Sequence, residues 1–103
     1  MTANLLTKKI IKFLEYHGCH AERVNNISRQ VNGRWVKSNM MRGTADIHAI
    51  IKSKAVMIEV KIGKDSQSIY QKVYQKSVER AGGIYYIAKD FDSFYEWYNN
   101  NFK

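Results

Sequence analysis

The sequence of 103 residues contains no proline and only one cysteine, Cys19. A single cysteine excludes a disulfide within the chain and a zinc site built on several cysteines, and it fits a reducing cytoplasm. No apolar run approaches the roughly 18–20 residues that a membrane span needs. Lysines interrupt the first residues, which excludes a secretory signal peptide. We therefore expect a cytoplasmic protein without a membrane partner.

Acidic residues are also scarce. Seventeen Lys and Arg residues against nine Asp and Glu residues give a net charge of +8, and the excess is spread along the chain. This distribution favours a folded surface that meets phosphates. Many unrelated domains are equally basic, so the charge narrows the class of partner without fixing it.

Linker signals are missing as well. The chain has no Ser/Gly-rich stretch and no internal repeat, and its length allows a modest core in a single domain covering 1–103.

Hydrophobic periodicity predicts helices at 2–17 and 68–81 and a third helix that begins at Asp90 or Ser93. Strands are predicted at 44–51, 55–62 and 84–88, and the segment 20–38 reads as two strands around the hairpin signal Asn32-Gly33. The order is α-β-β-β-β-α-β-α. A crossover helix between the fourth and fifth strands makes them parallel, so we expect an α/β fold in which helices flank a mixed sheet. The apolar face predicted for the second of these helices contains Ile69, Tyr70, Val73, Tyr74, Val78 and Ala81.

Charged residues interrupt the stretch MIEVKIGK at 57–64. Side chains alternate along a strand, so one face is apolar and the other carries Glu59 and Lys61. The apolar face consists of Val56, Ile58, Val60 and Ile62. In 44–51 the same alternation separates Asp46, His48 and Ile50 from Ala45, Ile47, Ala49 and Ile51.

A turn with an even number of residues, such as Lys52-Ser53, would pair Asp46 directly with Glu59, with Cβ atoms ~4.5–5.5 Å apart. Two opposed carboxylates repel unless a cation lies between them, and Mg²⁺ prefers such oxygen ligands. Lys61 would lie near enough to hold a water or to neutralise charge on a phosphate. The alternative is a solvated cluster of ion pairs, because E-x-K triplets are common.

The segment RGTADIHAII…KAVMIEVKIGKDSQSIYQKVYQ resembles the PD-(D/E)xK nuclease superfamily. More narrowly, it is similar to the stand-alone virus-type replication-repair (VRR) nucleases of phages and bacteria, which are related to archaeal Holliday junction resolvases. The match runs from about Arg42 to the C-terminus. The matching positions are Gly43, Asp46, Glu59, Lys61 and Gln71, with Gln75 one turn later.

This resemblance implies a restriction-endonuclease-like fold and a Mg²⁺- or Mn²⁺-dependent nuclease. Asp46, Glu59 and the Val60 carbonyl would hold the metal, Lys61 would be the catalytic lysine, and Gln71 would line the site from the following helix. The expected substrate is branched DNA, such as a Holliday junction, cut by a homodimer during repair or recombination in a bacterial or phage-infected cell. The alternatives are a nicking or restriction-type endonuclease on duplex DNA and a non-catalytic nucleic-acid-binding module.

Two positions depart from the family pattern. Ala45 stands where relatives often have proline before the metal-binding aspartate. Relatives also carry a glutamate in the first helix, whereas this helix contains only Glu15, near its C-terminal end. Glu15 is therefore a possible extra acid, with Asn4 or a water as substitutes.

Basic residues beside the hairpin are candidates for nucleic-acid binding, with Trp35 as a stacking surface. These residues are Arg29, Arg34, Lys37 and Arg42. Gln75 shares a helix edge with Gln71 and is a further candidate. The alternatives are a solvated hairpin and a solvated polar edge. His48 shares a face with Asp46, and a structural role is favoured for it over contact with metal or phosphate.

Overall fold

A mixed four-stranded sheet lies between helices in the computed structural model, which describes residues 1–24, 29–31, 33–36 and 42–103. At 29–31 and 34–36 only the backbone is described. The elements in chain order are α1 (Ala3–Tyr16), β1 (His20–Arg23), β2 (Arg29–Val31), β3 (Arg34–Val36), β4 (Ile47–Ile51), β5 (Lys54–Val60), α2 (Ile69–Arg80), β6 (Ile84–Ala88) and α3 (Phe91–Phe102). The predicted α/β class is confirmed.

The strand order in the main sheet is β1-β4-β5-β6. β4 pairs antiparallel with both β1 and β5, whereas β5 and β6 are parallel. The chain passes from β5 to β6 through α2, so the predicted crossover and the parallel pair it requires are confirmed.

The segment 20–38 differs from the prediction of a single hairpin. Its first part, β1, pairs with β4 in the main sheet, and only β2 and β3 form the hairpin around Asn32-Gly33. The described order is therefore α-β-β-β-β-β-α-β-α, with one strand more than predicted. The pattern of residues 20–23 does not reveal the partner of β1, because its pairing with β4 depends on tertiary packing.

One face of the sheet packs against α1 and α3. The buried side chains on this side come from both helices and from the inward rows of β4 and β5, as the alternation predicted; they include Leu6, Ile10, Leu14, Ile47, Ile51, Val56, Ile58, Phe94 and Tyr98. Ile62 is only partly buried against them. This row is apolar along its whole length, so the charged row of β5 belongs to the opposite face.

The opposite face is covered by α2. Ala45, Tyr74 and Tyr85 form a small core there, whereas Ala45 was predicted to point with Ile47 into the other layer. That prediction was wrong because β4 begins only at Ile47, and the loop before it does not keep the strand alternation as far back as Ala45.

The predicted apolar face of α2 is buried only in part. Ile69 and Val73 are 73% and 55% exposed, and Tyr70 is also exposed. Tyr74 and Val78 alone contribute to the core beneath the helix. A single helix on this side contacts the sheet through one narrow row, which leaves the neighbouring apolar residues in solvent.

The turn between β4 and β5 sets the register of the site. It consists of Lys52 and Ser53, both with positive φ (47° and 70°), which is the conformation of a two-residue hairpin turn. The resulting ladder pairs Ile47 with Ile58, and its next step outward places Asp46 opposite Glu59. The predicted even-numbered turn is confirmed.

Among the described helices, none combines the length and the hydrophobicity needed to cross a bilayer.

Candidate active site

Asp46 and Glu59 meet at the end of the β4–β5 ladder. Oδ2 of Asp46 accepts a hydrogen bond of 2.8 Å from the backbone N–H of Val60, the last residue of β5. Glu59 is only 2% exposed, and its carboxyl group lies within hydrogen-bonding reach of Asp46. The two carboxyl groups that the sequence predicted to be opposed are therefore brought together.

Burial is the main reason that the pKa of Glu59 is raised to about 9, and the hydrogen bond to Asp46 and the charge of Asp46 raise it further. The Lys61 charge and the Val60 N–H oppose this shift. At neutral pH the pair therefore retains a proton that isolated carboxyl groups would have lost.

The arrangement fits a divalent cation. Oε2 of Glu59 is buried and has no hydrogen-bond partner among the described residues. An unsatisfied carboxylate oxygen beside a second carboxylate is a favourable donor set for a hard cation, which would replace the shared proton. The described residues contain no group of three or more His, Cys, Asp or Glu side chains, so backbone oxygens and water would complete the coordination.

The Val60 carbonyl is on the correct side to contribute. The neighbouring N–H of Lys61 donates to the carbonyl of Ala88 in β6, at 2.9 Å. Successive residues of a strand direct their backbone groups to opposite edges, so the Val60 groups face Asp46. Metal ligation by the Val60 carbonyl stays a prediction.

Lys61 follows β5 on the same face as Glu59 and is 9% exposed. Its charge acts on Glu59, but its ammonium group has no hydrogen bond or ion pair with any described residue. Among the described residues, Oε2 of Glu59 is the one buried polar side-chain atom without a partner, so the Lys61 ammonium group reaches solvent although most of its side chain is buried. It is therefore accessible to a group outside the folded chain.

Gly43 fixes the loop that leads to Asp46. Its φ of +77° favours glycine, and an added Cβ would lie 2.4 Å from both the carbonyl carbon and the carbonyl oxygen of Tyr70. The neighbouring Arg42 contacts the Tyr70 side chain. Its Nη1 donates to the Tyr70 hydroxyl at 3.0 Å, and its guanidinium lies 4.2 Å from the centroid of the Tyr70 ring. Arg42, predicted to bind DNA, thus also attaches this loop to the first residues of α2.

Tyr74 of α2 contacts two residues that flank Asp46, Ala45 and His48. Its hydroxyl lies 3.1 Å from Nε2 of His48 and also within hydrogen-bonding reach of the backbone N–H of Ala45. Burial lowers the pKa of His48, and the charge of Glu22 partly offsets this effect. His48 therefore has the structural partner that the sequence analysis favoured.

Gln71 caps α2. Its Oε1 accepts from the backbone N–H of Ser68 at 2.8 Å, while the Ser68 hydroxyl accepts from the Gln71 N–H at 3.2 Å, which completes a capping box. The catalytic role implied for Gln71 stays a prediction. Its side-chain Oε1 already accepts the hydrogen bond from Ser68, which limits how this oxygen can contact a metal or substrate.

Gln75 belongs to a network behind the carboxylate pair. Its Oε1 accepts from Nε2 of Gln67 at 2.9 Å, and the same Nε2 lies 3.2 Å from the Tyr85 hydroxyl. Burial raises the pKa of Tyr85 to about 12, and the charges of Glu59 and Asp46 add to this effect. Sequence analysis did not identify Gln67 or Tyr85 as neighbours of the site, although the alternation of β6 gives Tyr85 the same face as Ile87.

The first helix brings Asn4 toward the site end of the sheet and leaves Glu15 at the other end. Asn4 Oδ1 accepts a hydrogen bond from Arg23, which pairs with Ile47 next to Asp46. Glu15 is exposed in the last turn of α1, the end that leads to His20 at the far end of the ladder. Glu15 is therefore not brought into the cluster.

The structure does not describe three of the predicted DNA-binding side chains. Lys37 and the side chains of Arg29 and Arg34 lie outside the described residues. Their predicted contacts with nucleic acid stay predictions.

Comparison with known proteins adds no assignment to this geometry: no protein-family model, no curated protein and no solved structure gives a significant match to the chain.

Proposed function

We propose that this protein is a metal-dependent endodeoxyribonuclease of the PD-(D/E)xK type, with a restriction-endonuclease-like fold and closest in kind to the VRR nucleases. The observation that carries the proposal is the contact between the carboxyl groups of Asp46 and Glu59, just beyond the last pair of the β4–β5 ladder, with the mostly buried Lys61 on the same face. Acid, acid and lysine are the groups that metal-assisted phosphodiester hydrolysis needs.

Asp46, Glu59 and the Val60 carbonyl would hold Mg²⁺ or Mn²⁺. When bound, the cation would supply Lewis-acid stabilisation of the charge that develops on the phosphoryl oxygens. Binding of the cation would displace the proton that the raised pKa of Glu59 keeps on the pair. The Val60 N–H holds the Asp46 carboxylate in place for this ligand set.

Lys61 orients the attacking water and stabilises negative charge on the scissile phosphate through its ammonium group. In-line attack by this water forms a new P–O bond and breaks the bond to the leaving deoxyribose oxygen. The water releases one proton to solvent, and the leaving oxygen takes one up from solvent. The preorganised position of Lys61 follows from burial of its side chain at the end of β5.

The substrate that we propose is branched DNA, with Holliday junctions first. The family resemblance of the Gly43, Asp46, Glu59 and Lys61 motif supports this choice, and the net charge of +8 favours binding along phosphates. Resolution of a junction requires two matched cuts, so a homodimer with twofold symmetry is part of the proposal.

The deciding experiment incubates the purified chain with labelled four-way junction, flap, duplex and single-stranded DNA in Mg²⁺, Mn²⁺ or EDTA. The wild type is expected to cut the junction only with metal, whereas Asp46→Asn binds the junction without cutting it. Lys54→Met is a control at the opposite end of β5, where a lysine is exposed to solvent.

The products distinguish the alternatives. Symmetrical cuts across the junction, together with a dimer by light scattering, support resolution. Cutting of linear duplex alone replaces the proposal with a nicking or restriction-type endonuclease. Binding to every substrate without cleavage in either metal replaces it with a non-catalytic nucleic-acid-binding module.

A further inference from the structure

An open depression of about 250 Å³ lies beside the carboxylate pair, where β5 ends and α2 begins. Ile87 of β6 borders it, and Ile87 pairs with Glu59 in the sheet. The other lining residues are Lys61, Asp65, Ser66, Gln67, Lys72 and Lys89. The depression therefore adjoins the proposed active site and shares Lys61 with it.

The charge around this depression is positive. Lys61, Lys72 and Lys89 outnumber the one acidic residue of the lining, Asp65. The first turn of α2, which begins directly after Ser68, contains no acidic residue. The partial positive charge of a helix N-terminus is thus not neutralised by a side chain of that turn, and it adds to the field of the lysines.

Lys61 gives the second, independent indication of a ligand. Lys61 is 9% exposed and lines the depression, and its ammonium group has no hydrogen-bond or ion-pair partner among the described residues. Because this group is not one of the described buried polar atoms without a partner, it is open to solvent. An anion in the depression would pair with a cation whose side chain is already held in place by burial.

We infer that the depression is a phosphate subsite, formed chiefly by Lys61, Lys72 and Lys89. It takes a phosphate group of the nucleic-acid strand next to the phosphate that is cut. The inference rests on the proposed function only for the identity of that strand. The volume is below the roughly 300–1,000 Å³ typical of sites for drug-sized ligands, which suits a phosphate better than a whole nucleoside.

Two sources share this phosphate chemistry: an internal diester and a terminal monoester. Binding is measured in EDTA, so that no cleavage takes place, for oligonucleotides with a 5′-phosphate, with a 3′-phosphate or with neither. The variants are Lys72→Gln and Lys89→Gln. The matched control is Lys52→Gln, an exposed lysine in the β4–β5 turn at the opposite end of the sheet.

Each subsite variant is expected to weaken binding about threefold to tenfold and to reduce the slope of log K against log salt by about 0.7–0.9. Lys52→Gln should change neither. An equal loss on all three oligonucleotides identifies an internal diester. A gain from one terminal phosphate that disappears in Lys72→Gln and Lys89→Gln identifies a terminal monoester.

Inorganic phosphate gives a second measurement by NMR. It is expected to shift the amide signals of Ser66 and Lys89 in the wild type, and these shifts should be lost in Lys72→Gln while Lys52→Gln retains them. Subsite variants that behave like Lys52→Gln, or an absence of phosphate-induced shifts in the wild type, would overturn the inference. Because these assays need no cleavage, a subsite that binds phosphate in a protein that never cuts DNA would refute the proposed nuclease alone.

Discussion

Oδ2 of Asp46 accepts a 2.8 Å hydrogen bond from the backbone N–H of Val60. This bond joins the loop before β4 to the last residue of β5 and holds Asp46 beside Glu59. The bond attaches the Asp46 carboxylate to the backbone of β5. In the proposed metal site, this arrangement would preorganise the pair for a cation, and the proton that the pair retains limits repulsion between the two groups while no cation is bound.

Glu59→Gln is expected to stabilise the metal-free protein at high pH. The folded pKa of Glu59 is about 9 against an ordinary value of 4.5, so between these values the folded state binds one proton more than the unfolded state. The stability of the wild type therefore falls as pH rises through this range. The variant lacks this loss, which amounts to about 1.4 kcal/mol for each pH unit crossed and so to several kcal/mol by pH 9. Since 1 kcal/mol corresponds to about 4–8 °C for a domain of this size, the Tm of the variant should exceed that of the wild type at pH 9 by more than this amount.

Calorimetric melts in EDTA at pH 4.5, 7 and 9 measure this effect. The Tm difference should be near zero at pH 4.5 and increase with pH. Added Mg²⁺ should raise the Tm of the wild type and leave that of Glu59→Gln unchanged, since a ligand stabilises only the state that binds it. A constant Tm difference at all three pH values would contradict the assignment of the proton to Glu59.

Lys61→Met is expected to reduce the rate of DNA cleavage without reducing the stability of the fold. It retains the apolar length of a mostly buried side chain and removes an ammonium group that forms no hydrogen bond or ion pair with a described residue, so the Tm should change little. Junction cleavage with Mg²⁺ should fall about 10²–10³-fold, the usual cost of removing a group that stabilises transition-state charge. Single-turnover cleavage and thermal melts of Lys61→Met and Lys54→Met provide the comparison, and equal cleavage by the two variants would exclude the catalytic role.

The arrangement of Asp46, Glu59 and Lys61 was predictable because it depends on local rules. Side chains of a strand alternate between its two faces, which decides the side chains that share a face. The two-residue turn between β4 and β5 decides which of their residues pair. The position of Glu15 was not predictable in the same way, because the direction of α1 across the sheet depends on tertiary packing. Helix spacing alone gave no sign that its last turn lies at the far end of the ladder.

The capping role of Gln71 was predictable from the sequence but was not predicted. The spacing of Ser68 and Gln71 is that of a capping box, so the sequence contained the signal for the observed hydrogen bonds. The site role that the family resemblance implies for Gln71 stays a prediction. The exposure of Ile69 and Val73 had no local signal, because an apolar row on a helix does not reveal how much sheet lies beneath it.

Substitutions of Gln71 are expected to change the free energy of unfolding more than the rate of DNA cleavage. Gln71→Ala removes the acceptor for the Ser68 N–H and should cost about 0.5–1 kcal/mol, whereas Gln71→Glu preserves the capping box. If Gln71 acts by positioning α2, junction cleavage by Gln71→Glu should stay within about threefold of the wild type. Urea unfolding and cleavage rates test both points. If Gln71→Glu is as stable as the wild type but cuts the junction 100-fold or more slowly, the result would instead support direct contact of Gln71 with substrate or metal.

Gly43→Ala is expected to displace the loop that leads to Asp46, although Gly43 itself is not a site residue with a reactive side chain. The backbone φ of +77° costs alanine about 1–2 kcal/mol, and the new Cβ would also collide with the Tyr70 carbonyl group. Gly18→Ala is the matched control, because Gly18 has a φ of +78° and nothing within 4 Å of an added Cβ. The difference in unfolding free energy between the two variants therefore isolates the contact of Gly43 with α2.

We expect Gly43→Ala to be less stable than Gly18→Ala by about 1–3 kcal/mol, the usual cost of overpacking. Because Gly43 lies three residues before Asp46, Gly43→Ala should also lose Mg²⁺-dependent stabilisation, while Gly18→Ala retains it. Urea titrations with and without Mg²⁺ measure both effects. Equal destabilisation of the two variants would mean that the loop can move away from Tyr70 without cost, and that Gly43 does not fix the position of Asp46.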